Sequence, residues 1–206
     1  MGHYEVFFKT LCSLCFVFCS YFSFKKSHGN KTYFTLMFLG LIFCLFGDIF
    51  LAFSGNEFFL LGVCSFAFAH IFFISGFIYL TAFTFKDFLL YIFLITLSIS
   101  FILLKDGFVF KDMLTLVLIY ASILVFMVTK ALSLLKLRKE NKIFTFLTIT
   151  GAILFFISDF ILLFLVFYND CPIIFSYVNL FVYYLGQGLL ALSFIKCFKS
   201  KKKQRA

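Results

Sequence analysis

The 206-residue sequence is 64% hydrophobic and only 13% charged, with one proline and a mean hydropathy of +1.11. Soluble domains are about half apolar and a quarter charged, so a soluble globule is excluded. The 38 Phe and 10 Tyr exclude a disordered chain, which is poor in aromatics.

The apolar runs are long and continuous, unlike the alternating segments of a membrane barrel. They predict an all-α, polytopic membrane bundle of seven spans in a single domain covering 1–206. In chain order the spans are Val6–Phe24, Thr32–Phe53, Phe58–Phe83, Phe88–Leu104, Met113–Leu135, Ile143–Tyr168 and Ile173–Cys197, with a basic tail at 198–206. Glu5 precedes the first run and no small-x-small cleavage site follows it, so it reads as a retained span rather than a signal peptide.

The net charge of +9 sits almost entirely in short breaks and in the tail Lys199-Ser-Lys-Lys-Lys-Gln-Arg205. That placement suits anionic lipid rather than nucleic acid. The first, third and fifth breaks plus the tail hold fifteen of the 18 cations, counting Lys130 and Lys196 at helix ends; Lys9, Lys105 and Lys111 fall on the other side. The bias predicts a cytoplasmic C-terminus and an outside N-terminus in the cell (inner) membrane. Six of the seven cysteines lie in or at the end of apolar runs, where cysteine packs as a small hydrophobe. Cys12, Cys15 and Cys19 share one helix face without a histidine, so neither a disulfide framework nor a zinc site is expected.

Most acids fall in the breaks, but Asp48 in the second span and Asp159 in the sixth do not. His70 in the third span, and Tyr183, Tyr184 and Gln187 in the seventh, are the other notable polar groups at depth. Ionisable groups in hydrocarbon are costly and turn toward the bundle interior. At 1.5 Å per residue, Asp48 lies roughly 7 Å and Asp159 roughly 5 Å outside their span midpoints, while His70 and Gln187 lie near theirs. Four helices thus contribute polar groups to one slab on the outer side. Small residues flank both aspartates, and Ser176, Asn179, Tyr183 and Gln187 form one stripe at spacings of three and four, which lets helices approach or line a cavity.

The segments 40–53 and 151–164 both carry glycine eight residues before the aspartate and agree at five of fourteen positions. Phe8-Lys9 and Phe110-Lys111 open the first and fifth spans in the same way. Both matched pairs run in one membrane direction, the sign of a parallel repeat with a site at its interface. The first half is then spans one to three and the second spans four to seven, with the two aspartates facing each other near the axis.

Phe46-Gly-Asp-Ile-Phe-Leu51, the Gly62-x-x-x-Phe-x-x-x-His70 helix, Tyr120 through Met127 to Ala131, Gly151 to Leu162 and Tyr183-Tyr-Leu-Gly-Gln187 together resemble the YhhN-like family of integral membrane lysoplasmalogenases. The resemblance covers about 8–194. It implies hydrolysis of the vinyl-ether bond of a lysophospholipid to a fatty aldehyde and a glycerophospho-alcohol. Family members typically have eight spans; Phe8-Lys9-Thr10 looks like the start of the second, so the family's first span is expected to have no counterpart here. The tyrosine that usually follows the histidine is Phe73 in this chain.

Vinyl ethers hydrolyse through protonation at carbon, and water captures the resulting oxocarbenium ion. A proton-bearing and an ionised carboxyl group suffice for this, as in glycoside hydrolysis. Asp48 and Asp159 are therefore the expected catalytic pair, sharing a proton. His70, Tyr183, Tyr184, Gln187 and, near the phosphate, Lys9 are expected to bind substrate. Only His70 among the three histidines is in a span, so no metal and no cofactor is expected; the partners are the lysophospholipid and membrane lipids. The competing reading is a proton-coupled small-molecule or lipid transporter with the aspartates as a relay. A seven-span receptor rests on the span count alone.

Overall fold

The computed structural model describes residues 3–27, 29–169 and 171–196. Cys197 and the basic tail lie outside the described residues, as do His28 and Asp170. Seven α-helices follow in order: α1 His3–Ser27, α2 Lys31–Leu51, α3 Asn56–Leu80, α4 Phe85–Leu104, α5 Leu114–Ser133, α6 Lys142–Phe167 and α7 Ile174–Ser193. Each is long and apolar enough to cross a membrane, and no strand occurs among the described residues. The protein is a multi-pass helical membrane bundle. All seven helices run unbroken, because the lone proline, Pro172, falls between α6 and α7.

The helix ends sit within a few residues of those expected, and local chemistry sets them. Asn30 and Asn141 cap α2 and α6 by accepting the N–H groups of Tyr33 and Phe144, at 3.1 Å each. Such caps satisfy backbone donors that the first helical turn leaves orphaned. The α4–α5 segment folds back on the end of α6, where the Val109 N–H donates to the Phe167 carbonyl at 2.8 Å.

Between helices in lipid, close packing replaces the hydrophobic drive of water. The glycines eight residues before each aspartate supply it. A Cβ on Gly40 would lie 2.3 Å from the Phe73 ring of α3, and one on Gly151 2.9 Å from the Gly186 carbonyl of α7. α2 therefore packs intimately on α3, and α6 on α7. Beyond these pairs, α1 lies against α2 and α7, and α5 against α6 and α3. The pattern relates α1–α3 to α5–α7 and leaves α4, which packs chiefly on α5, as the unmatched helix of the longer half.

One expectation needs correction. Asp87 does not lie in a break: it is in the first turn of α4, buried, and accepts the Thr84 N–H at 3.0 Å. Lys130, read from sequence as a helix-end topology cation, is fully buried beside it. Its ammonium donates to Asp87 at 3.2 Å and to the Thr81 carbonyl at 3.1 Å, closing the end of α3. Lys136 reaches the other Asp87 oxygen at 3.3 Å. Breaking a buried ion pair costs about 3–5 kcal/mol because one charge stays buried. Lys136 softens that cost, so Lys130→Met should lose about 3 kcal/mol. A chain of this size then melts roughly 6–12 °C lower, which a melting curve in detergent measures against Lys25→Met.

Candidate active site

Two polar centres lie inside the bundle, one around each aspartate. Asp48, 8% exposed, is bonded through Oδ2 alone. The Ser13 hydroxyl of α1 approaches it at 2.5 Å and the Tyr183 hydroxyl of α7 donates at 2.8 Å. Asp159, 9% exposed, is likewise bonded through Oδ2. The Tyr120 hydroxyl of α5 donates at 2.6 Å, and His70 Nε2 of α3 stands at 3.1 Å. Nε2 is also 3.0 Å from the Tyr120 hydroxyl, while Nδ1 is buried without a partner. With two oxygens facing Nε2 and nothing facing Nδ1, the ring is assigned an Nε2–H that donates to this centre.

The two centres are built reciprocally. Each aspartate takes one donor from the helix before it, α1 or α5. It takes the other from the last helix of the opposite triplet, α7 for Asp48 and α3 for Asp159. The helix pairings that relate the two halves thus also supply the hydrogen bonds that orient the carboxylates.

No hydrogen bond joins the carboxylates to each other, so they do not form the directly shared-proton pair read from the sequence. Aromatic rings stand between the centres. Phe155 lies 4.7 Å from the His70 ring and 5.4 Å from Tyr183, and Phe66 lies 5.9 Å from Tyr183. The carboxylates remain near enough to act on each other electrostatically.

A cavity distinguishes them. A space of about 90 Å³ opens beside Asp159 and Tyr120, lined otherwise by apolar groups such as Phe66, Ile102, Val117 and Phe167, and by Ser98. The Ser98 hydroxyl is turned back on the Leu94 carbonyl. Among the described residues, Asp159 and Tyr120 are therefore the polar side chains of its wall that are not turned back on their own helix. Asp159 lies eight residues before the end of α6, so the cavity runs roughly 12 Å inward from the helix ends. The wall belongs to α3, α4, α5 and α6 with the end of α2, and the unmatched α4 closes one side. None of Asp48, Lys9, Tyr183, Tyr184 and Gln187 lines it.

Those residues gather instead on the Asp48 side. Lys9 is half-buried and within electrostatic reach of Asp48; its carbonyl accepts from the Tyr184 hydroxyl at 3.3 Å. Gln187 is fully buried and donates to Cys44 Sγ at 3.4 Å, leaving its Oε1 without a partner. Asn179 of the same stripe donates to the Ser158 carbonyl at 2.6 Å and ties α7 to α6. Cys12, Cys15, Cys19, Cys44, Cys64 and Cys171 are free thiols. Among the described residues no three His, Cys, Asp or Glu side chains converge as a metal site requires.

Tyr120 and Ser13 are two side chains of these centres that sequence reasoning passed over. Tyr120 stood in a quoted motif, but a hydroxyl on an aromatic ring gives no periodic signal that it faces a carboxylate. Ser13 could have been found from its place one turn after Lys9, on the face that α2 covers.

The sequence matches a known family along most of its length. The sequence model of the YhhN family matches residues 4–194. The chain belongs to the YhhN family. No curated protein and no solved structure matched the chain. The YhhN match takes in α1 through α7 and therefore both aspartate centres, Tyr120 and the cavity wall.

Proposed function

We propose that this YhhN-family protein is an alkenyl-ether hydrolase that cleaves lysoplasmalogens to a fatty aldehyde and a glycerophospho-alcohol. One observation carries the reading. An Asp159 carboxyl group, fixed by the Tyr120 hydroxyl and by His70, sits on the wall of a cavity that is otherwise apolar. The cavity suits a hydrocarbon chain, and the carboxyl group is the acid its vinyl ether needs.

Both donors engage Oδ2, so Oδ1 is the oxygen left to carry the proton. Asp159 delivers that proton to the vinyl carbon remote from the ether oxygen, and the π pair becomes the new C–H bond. The ether oxygen's lone pair then makes the oxocarbenium ion. Asp159, now an anion, takes a proton from the water that adds to the cationic carbon. The hemiacetal collapses to aldehyde and alcohol, the proton going to the leaving oxygen, with one water consumed. Asp48 contributes negative charge across the Phe155 ring, where positive charge develops, and needs no direct contact to do so.

Lys9, Lys105 and Lys111, the cations at this end of the bundle, suit the phosphate of the head group. Tyr183 acts by orienting Asp48, Tyr184 by holding α7 to α1, and Gln187 by holding α7 to α2. No cofactor enters the reaction, and membrane lipids are the only other partners. The fifteen-to-three division of cations supports a cytoplasmic C-terminus in the cell membrane.

Mass spectrometry of the purified full chain incubated with lysoplasmenylethanolamine tests the reading. Stoichiometric fatty aldehyde and glycerophosphoethanolamine are expected. Unchanged lipid under conditions where the protein stays folded refutes it.

A further inference from the structure

We propose that the segment joining α5 to α6 and the first two turns of α6 form a binding site for the phosphate of an anionic phospholipid, distinct from the hydrolytic cavity. A second cavity, of about 260 Å³, lies there, lined by Arg138, Lys142, Thr145, Phe146, Ile149 and Leu135 among others. It stands at the opposite end of α6 from the first. Lys142 precedes Asp159 by seventeen residues, roughly 25 Å along the axis. No single lysolipid head group serves both, and this inference does not rest on the hydrolase reading.

Lys142, Thr145, Phe146 and Ile149 recur at spacings of three and four, so one face of α6 forms the wall. Charge gathers at its outer end. Arg138 and Lys142 are exposed and make no ion pair, whereas the nearby Lys136 is already held by Asp87. The one acid in the connecting segment, Glu140, is exposed and pairs with neither. The positive end of the 26-residue α6 points to the same place, where backbone N–H groups and the helix dipole favour an anion. The Asn141 side-chain amide donates to the Lys196 carbonyl, which brings a further exposed cation to this end.

The second, independent observation is Thr145. It lines the cavity, is 1% exposed, and its hydroxyl has no hydrogen-bond partner. Buried hydroxyls are almost always bonded. Turned toward the cavity, this hydroxyl finds its missing acceptor in a phosphate oxygen held between Arg138 and Lys142.

The apolar part of the wall identifies the anion's source. Ile149 and Phe146, the latter 65% exposed, continue from the charged end toward mid-membrane. A free phosphate leaves that surface unused. A phospholipid covers it with an acyl chain, as in basic pockets between helices at the cytoplasmic face.

Native mass spectrometry of the full chain in neutral detergent tests the site, with dioleoylphosphatidylglycerol and dioleoylphosphatidylcholine offered in equal amounts. The wild type should retain one phosphatidylglycerol with about tenfold preference, from two cations near a lipid phosphate. The double variant Arg138→Gln/Lys142→Gln should lose that preference. Thr145→Val should weaken it several-fold, and Lys25→Gln/Lys26→Gln, on the same face of the bundle, should keep it. Arg138→Gln alone serves if the double variant does not fold. Preference that survives Arg138→Gln and Thr145→Val overturns the site. Equal loss in the Lys25→Gln/Lys26→Gln control also overturns it, since general surface charge then explains the binding. Full displacement of phosphatidylglycerol by millimolar inorganic phosphate overturns the assignment to a lipid.

Discussion

Asp159→Asn is expected to abolish aldehyde release, with a loss of about 10³-fold in kcat, the usual contribution of a positioned general acid. That is on the order of 4 kcal/mol of transition-state stabilisation. The substitution keeps the shape of the side chain, and its carbonyl oxygen still accepts from Tyr120 and His70. Folding and substrate affinity should therefore change little. Asp48→Asn should lower kcat as well, because the charge opposing the oxocarbenium ion is gone, while Ser13 and Tyr183 still find an acceptor. The Asp48→Asn/Asp159→Asn double variant should be little worse than Asp159→Asn alone, since groups that serve one step are not additive. Turnover near wild type in Asp159→Asn, measured on protein with an unchanged melting curve, removes Asp159 from the mechanism. Turnover near wild type in Asp48→Asn alone leaves Asp159 as the acid and makes Asp48 a structural carboxylate.

The contrast between the two aspartates was hidden in the sequence. Asp48 and Asp159 follow a glycine at the same distance and lie in helices of similar hydrophobicity, so periodicity treats them as equals. What separates them is the position of α4. Its packing on α5 with a gap toward α3 and α6 depends on the shapes of many Phe and Leu side chains. No single residue announces it. The sequence did carry the existence and order of the seven helices, because a run of about twenty apolar residues has only one stable form in a bilayer.

Tyr120 and Asp87 mark where sequence patterns stop informing. A tyrosine in an apolar span reads as interfacial or as packing, and only the approach of α5 to α6 turns its hydroxyl onto Asp159. Asp87 lies beside a threonine and a lysine at the edge of a hydrophobic run, the composition of a loop. Its burial follows from Lys130, forty-three residues later, a pairing set by the packing of α4 on α5. The glycines were more telling. Gly40 and Gly151 each stood eight residues before an aspartate; the Phe73 ring of α3 fills the space beside Gly40, and the backbone of α7 comes close at Gly151.

The last expected result distinguishes hydrolysis from transport through the chemistry of the substrate. If protonation at carbon is the difficult step, only a vinyl-ether lysolipid reacts. A saturated alkyl-ether lysolipid has no carbon basic enough to take the proton, yet its chain fits the cavity beside Asp159 equally well. It should be a competitive inhibitor with affinity near that of the substrate. An acyl lysolipid should also survive, because among the described residues the cavity wall carries neither a nucleophile paired with a base nor a cluster of metal-ligating side chains. In deuterium oxide, turnover should slow several-fold as the rate-limiting proton is replaced. One deuterium should then appear on the carbon next to the aldehyde. A transporter built on the same aspartates would carry lipid or protons across a liposome and leave every lipid mass unchanged. Aldehyde that lacks deuterium at that carbon, when isolated before it exchanges with solvent, rules out proton delivery from Asp159 to carbon even where hydrolysis itself is observed.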